Sequence, residues 1–447
     1  MAAERNRERR RRNGTASRCA DGAIRADRTG NSGSVPDSDP GSSSDSDRSP
    51  DSFTEPRSRR RVLGAVAGVG AGGLVGSLVR RSPAGDRAND VGDDHGHDHD
   101  AEGDRSSGRG MAVGIHAGSD VGAIGRTDRI ESWAGSRFDV QNVFVPFDNG
   151  RYELDELFDR VLPGIWGAGR TPMLSFEPYL SSGPTPEDVL RRITAGEYDA
   201  FLDEWAGWMA ETLERGTWQA DAGRTWGRMS RPAAYVRFAH EANGNWYPWA
   251  PAGGDGTPGE YVEAWRYVRS RVNGALTDRS GLGGSEAGGD GSELAWVWAV
   301  NGIDVGPYMM EELYPGDAFV DWAGVDTYNW GDSEPWSRWR SPDELFDEPI
   351  ERVRRIVGGD TPIGITEFAS SSRAGTGYDV ERKAAWIRDA FDTLDRAAVD
   401  MAVWFNRDRK TDWAVFDGAR GTDRIERAER RYQVYPAYRE AVTGQVR

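Results

Sequence analysis

The chain of 447 residues contains one cysteine, Cys19, two lysines, Lys383 and Lys410, and five histidines. A single thiol excludes an intramolecular disulfide and leaves everything after Cys19 without a cysteine nucleophile or a thiolate metal site. Three of the histidines, His95, His97 and His99, share one acidic tract, "DHGHDHD". That tract could hold a transition metal loosely, but among so many aspartates it reads first as a solvated linker. Only His116 and His240 remain for the rest of the chain, too few for a histidine-rich metal centre. His240 does begin an H-E pair, yet "HEANG" lacks the second histidine that a helical H-E-x-x-H zinc motif requires. No G-x-S-x-G elbow is present either, which removes the usual frame for a serine nucleophile.

Long apolar runs are also scarce. The one candidate, residues 62–79, is "VLGAVAGVGAGGLVGSLV", marginal in length for a membrane span and too rich in glycine for a stable anchor. It follows Arg59-Arg60 and so resembles a twin-arginine export signal, which predicts secretion to the extracellular side. Four segments are therefore expected: a disordered N-terminal extension (1–57), the signal and its hydrophobic stretch (58–81), an acidic linker (82–110) and one folded domain (111–447).

Charge is unevenly spread. Residues 1–110 hold 19 arginines and 18 acidic residues, so the remaining 37 basic and 55 acidic residues place the whole negative balance on the folded domain. Such a surface repels polyanions and argues against a nucleic-acid partner. Its Arg-for-Lys bias and acidity resemble those of halophilic, haloarchaeal-type proteins, and a halophilic protein is expected.

From residue 111 onward, short apolar runs alternate with amphipathic stretches. The strand candidates are 112–117, 140–147, 172–178, 233–241, 294–301, 322–330, 362–368 and 401–406. Eight strands, each followed by a helix-like segment, predict an α/β fold of (β/α)8 barrel type. A doubly wound sheet would show the same alternation, but "GIHAGSDVGAIG" is a poor phosphate loop. The glycine-rich stretch 278–293 reads as an insertion on the face away from the chemistry.

In such barrels the reacting groups gather at the C-terminal ends of the strands. His116, Glu177, His240, Glu241, Asn301, Asp326, Tyr328, Glu367 and Asn406 fall there. Glu241 and Glu367, on strands four and seven, would face one another across the barrel mouth. Two such carboxyls suit glycoside hydrolysis, in which one protonates the leaving oxygen and the other attacks the anomeric carbon. Eighteen tryptophans supply flat faces on which sugar rings can stack, among them Trp246, Trp249, Trp298, Trp330, Trp336, Trp404 and Trp413 near strand ends. Trp205, Trp208, Trp265 and Trp386 fall at helical spacing and are expected in the core.

Placed on these strands, four segments resemble glycoside hydrolase family 26, typified by β-mannanases. They are "RFAHEANGNWYPW" (237–249), "YPGDAFVDWAGVDTYNW" (314–330), "GITEFA" (364–369) and Trp404 on strand eight. The resemblance covers about 111–440 and implies a retaining endo-β-glycanase, with Glu241 as general acid/base and Glu367 as nucleophile. It further implies substrate contacts from His240, Tyr328, Trp246 and Trp404, with Trp404 as the platform of subsite −1. Asp326, Arg237, His116, Asn243 and Trp249 complete the expected substrate-binding set, Arg237 as the cation that keeps Glu367 ionised. The expected partner is a β-linked polysaccharide or oligosaccharide, most simply β-1,4-mannan, with β-glucan or β-1,3-xylan as alternatives from the same family. A monomer without cofactor or metal is expected. The competing class is a catalytically silent glycan-binding protein.

Overall fold

A computed structural model describes residues 110–147, 154–180, 183–215, 225–226, 229–230, 232–280 and 293–445. The twin-arginine segment, the histidine-containing linker and most of the glycine-rich insertion lie outside the described residues.

Eight parallel strands form a closed barrel. They are β1 (Ala112–His116), β2 (Val140–Pro146), β3 (Thr171–Glu177), β4 (Ala234–Phe238), β5 (Leu294–Asn301), β6 (Trp322–Asn329), β7 (Ile363–Ser370) and β8 (Met401–Phe405). Neighbours in sequence are neighbours in space, and Ala112 opposite Met401 closes the ring. This is the (β/α)8 barrel that the alternation predicts.

The pleat sorts the strand residues into two sets. Val140, Met173, Tyr235, Val297, Trp322, Met401 and Val403 fill the barrel interior. Their sequence neighbours Ile115, Leu174, Val236, Trp296, Trp298, Ile365 and Trp404 face the surrounding helices in a second, larger cluster. Glycines relieve the crowded axis: a Cβ on Gly324 would lie 2.6 Å from Thr366 Oγ1, and one on Gly114 would lie 2.9 Å from Val403.

The helices cover the outer face. Trp205, Trp265 and Trp386 are buried against the barrel and Trp208 is half-buried, as their helical spacing predicts. The helix Pro342–Val357 is started by a capping box between Ser341 and Glu344. The helix Val380–Arg396 is capped by the Asp379 side chain. Among the described residues no helix is long and apolar enough to cross a membrane.

A hairpin near the C-terminus, Asp423–Arg427 with Arg430–Val434, was not expected. Its two-residue turn is Ala428-Glu429, both at positive φ (48° and 64°). Those are the dihedral signs of the turn usually carried by Asn-Gly, so the sequence signal for it is missing.

Candidate active site

The segment that begins at Arg237 leaves β4 one turn earlier than its apolar alternation suggests. The strand ends at Phe238, and Ala239 and Glu241 then adopt left-handed φ values of 46° and 54°. Such conformations cost about 1–3 kcal/mol each for residues with a side chain and persist only where the surroundings enforce them. Here four hydrogen bonds do so. Ala239 N–H donates to Phe176 O (3.0 Å), and Glu241 N–H donates to Ala299 O (2.9 Å). Tyr261 Oη donates to Ala239 O (3.1 Å), and Trp249 Nε1 donates to His240 O (2.8 Å). The turn lifts Glu241 into the mouth of the barrel.

Glu367 reaches the same mouth by a different device. With Ile365 facing the helices, strict alternation would turn Thr366 inward and Glu367 outward. The ladders on both sides of β7 shift register here, between Val325 and Asp326 and between Ala402 and Trp404. This irregularity lets Thr366 and Glu367 both point inward and returns Phe368 to the helix side.

Between the two glutamates lies a buried network centred on Arg237. Its Nη2 donates to Glu367 Oε2 and its Nη1 to Asp326 Oδ2, each at 2.7 Å. Nε and Nη2 also donate to Ser175 Oγ (3.0 and 2.7 Å). Asp326 accepts on its other oxygen from Thr366 Oγ1 at 2.6 Å. The second oxygen of Glu367 accepts from Tyr328 Oη. Glu367 thus receives a donor on each oxygen, the arrangement that suits an oriented carboxylate nucleophile.

Glu241 sits in the opposite electrostatic situation. Burial, followed by the charges of Asp326 and Glu367, holds its carboxyl well above the usual range, although Trp246 and Arg237 pull the other way. Trp246 Nε1 donates to Glu241 Oε2 at 2.8 Å, which leaves Oε1 to carry a proton toward the cleft. Glu177, at the end of β3, is a third carboxyl; burial pushes it up as well, and its Oε1 has no hydrogen-bond partner among the described residues. His240 is held neutral by burial and by Arg237, with Nε2 3.3 Å from Tyr247 Oη.

His240, Asp326 and Glu367 offer potential ligand atoms within 4.8 Å of one another. Arg237 already donates to both of those carboxylates, so a guanidinium supplies the positive charge a metal would bring there.

Glu241, Glu367, Trp246 and Tyr328 line a cleft of about 820 Å³ at the C-terminal end of the barrel. Several expected contact residues do not reach it. Trp404 is fully buried among Phe368, Trp386 and Tyr438, because the inward set on β8 is Met401, Val403 and Phe405. It is no sugar platform; Phe405 and Trp413 line the cleft instead. Trp249 is also fully buried, stacked on Tyr247 at 4.3 Å, and pins the turn rather than a substrate. His116 lies beneath the cleft, stacked on Phe405 at 4.9 Å with Nδ1 3.0 Å from Asn142 O, and burial lowers its pKa to about 3. Asn243 ties the β4 loop to the β5 loop through Asn301 O (2.8 Å) and Asp304 Oδ1 (2.9 Å). Arg237, Asp326 and His240 are likewise buried and act on the glutamates and tyrosines rather than on the cleft surface.

The sequence reading missed Tyr179 and Tyr247, which line the cleft beside Glu241. Tyr247 belongs to the aromatic cluster that follows Glu241 in sequence, which is the signal for it. On the far wall Trp330 meets Trp413 edge-on at 4.8 Å and Trp336 at 5.3 Å. Lys383, fully buried, fixes Trp413 by donating to the carbonyls of Asp412 and Ala414 on either side of it.

Paired carboxyls at the ends of β4 and β7 in an aromatic cleft, one raised by burial and the other held by Arg237 and Tyr328, define the class: a (β/α)8 barrel of the glycoside hydrolase type. The model of glycosyl hydrolase family 26 matches residues 230–340, which span the Glu241 turn and β6. Endoglucanase H of Acetivibrio thermocellus is 33% identical over 227 residues, 47% of this chain and 22% of that protein. The chain therefore matches under a quarter of that relative's length. Among solved structures, a Bacillus subtilis mannanase has 18% identity and a TM-score of 0.43 over 66% of this chain and 80% of its own. A Bacteroides ovatus β-mannanase has 16% identity and a TM-score of 0.45 over 75% and 88%. Over these segments the chain is similar to glycoside hydrolase family 26.

Proposed function

We propose that the chain is a retaining endo-β-glycanase that cleaves β-1,4-mannan-type polysaccharide by double displacement. The observation that carries this reading is the contrast between the two mouth glutamates: burial holds the Glu241 carboxyl well above the usual range, and Glu367 is oriented by Arg237 and Tyr328. Glu241 Oε1 delivers its proton to the glycosidic oxygen while a Glu367 oxygen attacks the anomeric carbon, forming a glycosyl ester and releasing the leaving chain. Esterification removes the charge of Glu367, which had been raising the Glu241 pKa. Glu241 is then better able to take a proton from the incoming water. That water restores the sugar's configuration and frees Glu367.

Trp246, Tyr247, Tyr179 and Trp413 give the cleft walls on which sugar rings stack. Mannan is the simplest substrate for the family; β-glucan is the alternative favoured by the identity to an endoglucanase. Export through Arg59-Arg60 belongs to the same reading, since a polysaccharide must be met outside the cell. Release of reducing ends from mannan, mixed-linkage β-glucan and β-1,3-xylan in high salt tests it, together with Glu367→Ala. That variant should be inactive and should form a glycosyl azide when azide is supplied with an activated substrate. Unchanged turnover in Glu367→Ala would remove the reading, and binding without reducing-end release by the unaltered chain would favour the silent glycan-binding alternative.

A further inference from the structure

The cleft reverses the charge balance of the protein that surrounds it. The chain carries 73 acidic residues against 56 Lys and Arg. The cleft is lined by four cations, Arg338, Arg340, Arg409 and Lys410, against three carboxyls, of which two are Glu241 and Glu367. The third, Asp408, accepts from the backbone N–H groups of Ala414 (2.9 Å) and Ala419 (2.6 Å), which hold its carboxylate against its own loop. One of only two lysines in the chain is thus in this cleft.

The placement of the cations is as specific as their number. Arg338 and Arg340 come from the loop after β6, Arg409 and Lys410 from the loop after β8, so they flank β7 and Glu367 on both sides. The same loops carry the aromatic wall of Trp330, Trp336 and Trp413. Arg338 lies 3.4 Å from Glu344 in an exposed pair that water screens, which leaves its guanidinium able to exchange partners. A neutral glycan can accept hydrogen bonds from such a rim but gains nothing from its net charge. Guanidinium groups match carboxylates and sulfates in geometry, and a concave cleft focuses their field on an incoming anion.

We propose that the glycan taken by this cleft is anionic, a β-linked polysaccharide whose sugars carry carboxylate or sulfate ester groups. The rim of Arg338, Arg340, Arg409 and Lys410 binds those groups while Glu241 and Glu367 perform the hydrolysis. This proposal rests on the glycanase reading above, and its test separates the two.

The test compares matched derivatives of β-1,4-mannan and β-1,4-glucan: hydroxyethylated (neutral), carboxymethylated and sulfated, at equal substitution. kcat/KM for at least one anionic form should exceed that for the neutral form about tenfold or more at low salt, with the gap narrowing as salt rises. Whichever anionic form is preferred identifies the group. In Arg340→Gln/Lys410→Gln the ratio should fall toward one; the exposed Lys410→Gln alone should lower it in part and controls for misfolding. Equal cleavage of neutral and anionic forms, or a ratio the variants leave unmoved, would overturn the proposal while leaving the glycanase reading intact. If nothing is cleaved the glycanase reading falls, and binding of the same derivatives to the Glu367→Gln chain still decides: tighter binding of an anionic form supports the rim, equal binding refutes it.

Discussion

Arg237 and Glu367 meet through a 2.7 Å charge-assisted hydrogen bond in which the guanidinium is fully buried. The same guanidinium holds Asp326 at 2.7 Å, so one cation compensates two carboxylates in the barrel mouth. Removing one member of a buried ionic group costs more than the group contributes, because the partners are left desolvated and unpaired. Arg237→Met should therefore destabilise the fold by about 3–5 kcal/mol and abolish hydrolysis. Urea denaturation and reducing-end assays check this; a stable, active variant would show that Glu367 is oriented by Tyr328 alone.

Trp246 offers a subtler handle. Its indole N–H favours the ionised form of Glu241 and so pulls that pKa down against the effect of burial. In Trp246→Phe the ring remains but the donor is lost, so the Glu241 pKa rises further. The acid form needed to protonate the leaving group then survives to higher pH. The alkaline limb of the kcat/KM profile should move upward in pH, with kcat reduced about tenfold. A limb that stays in place would mean that another group sets it.

Two tryptophans should separate stability from binding. Trp404→Ala opens a cavity between β8 and its helices and should cost about 3–5 kcal/mol of stability. Trp336, 53% exposed on the cleft rim, should leave stability nearly unchanged on truncation while raising KM for long substrates about three- to tenfold. Thermal denaturation with kinetics on the purified variants distinguishes them; the opposite pattern would place Trp404 in the cleft after all.

Glu177 gives a pH signature in stability. Burial raises its folded-state pKa above the ordinary value, so between the two values the folded chain binds a proton that the unfolded chain has released. Stability from this group is complete below the unfolded value and declines as pH rises toward the folded one. Glu177→Gln keeps the neutral shape without that proton. Its stability relative to the parent should therefore improve between pH 5 and pH 8, as read by urea denaturation at both. A difference that does not vary with pH would mean Glu177 is ionised in the fold.

Which of these features can be read from residues alone follows from how each is encoded. The eight strands are legible because each is a compact apolar run between amphipathic stretches, and seven of their eight C-terminal ends fall within about two residues of expectation. β4 is the exception, because the left-handed Ala239 and Glu241 continue an apolar pattern without continuing the strand. Parity is what misplaces the aromatics. Trp404 and Phe405 are adjacent and both aromatic, and only the interior set of β8 reveals which one faces inward. Glu367 lines the cleft although its own alternation would turn it outward; what points to it in the sequence is the pairing with Glu241, not the local pattern. The Arg237 network, by contrast, joins residues 62, 89 and 130 positions apart in sequence, a closeness that no spacing announces.

The central claim is that Glu367 becomes covalently bonded to the sugar. An activated 2-deoxy-2-fluoro β-glycoside slows breakdown of the glycosyl-enzyme and allows the protein to be digested and its peptides weighed. The peptide containing Gly364–Ala369 should gain the mass of one fluorosugar, with fragmentation placing it on Glu367. Turnover of the unfluorinated glycoside with no labelled peptide, or a label on Glu241, would contradict the account.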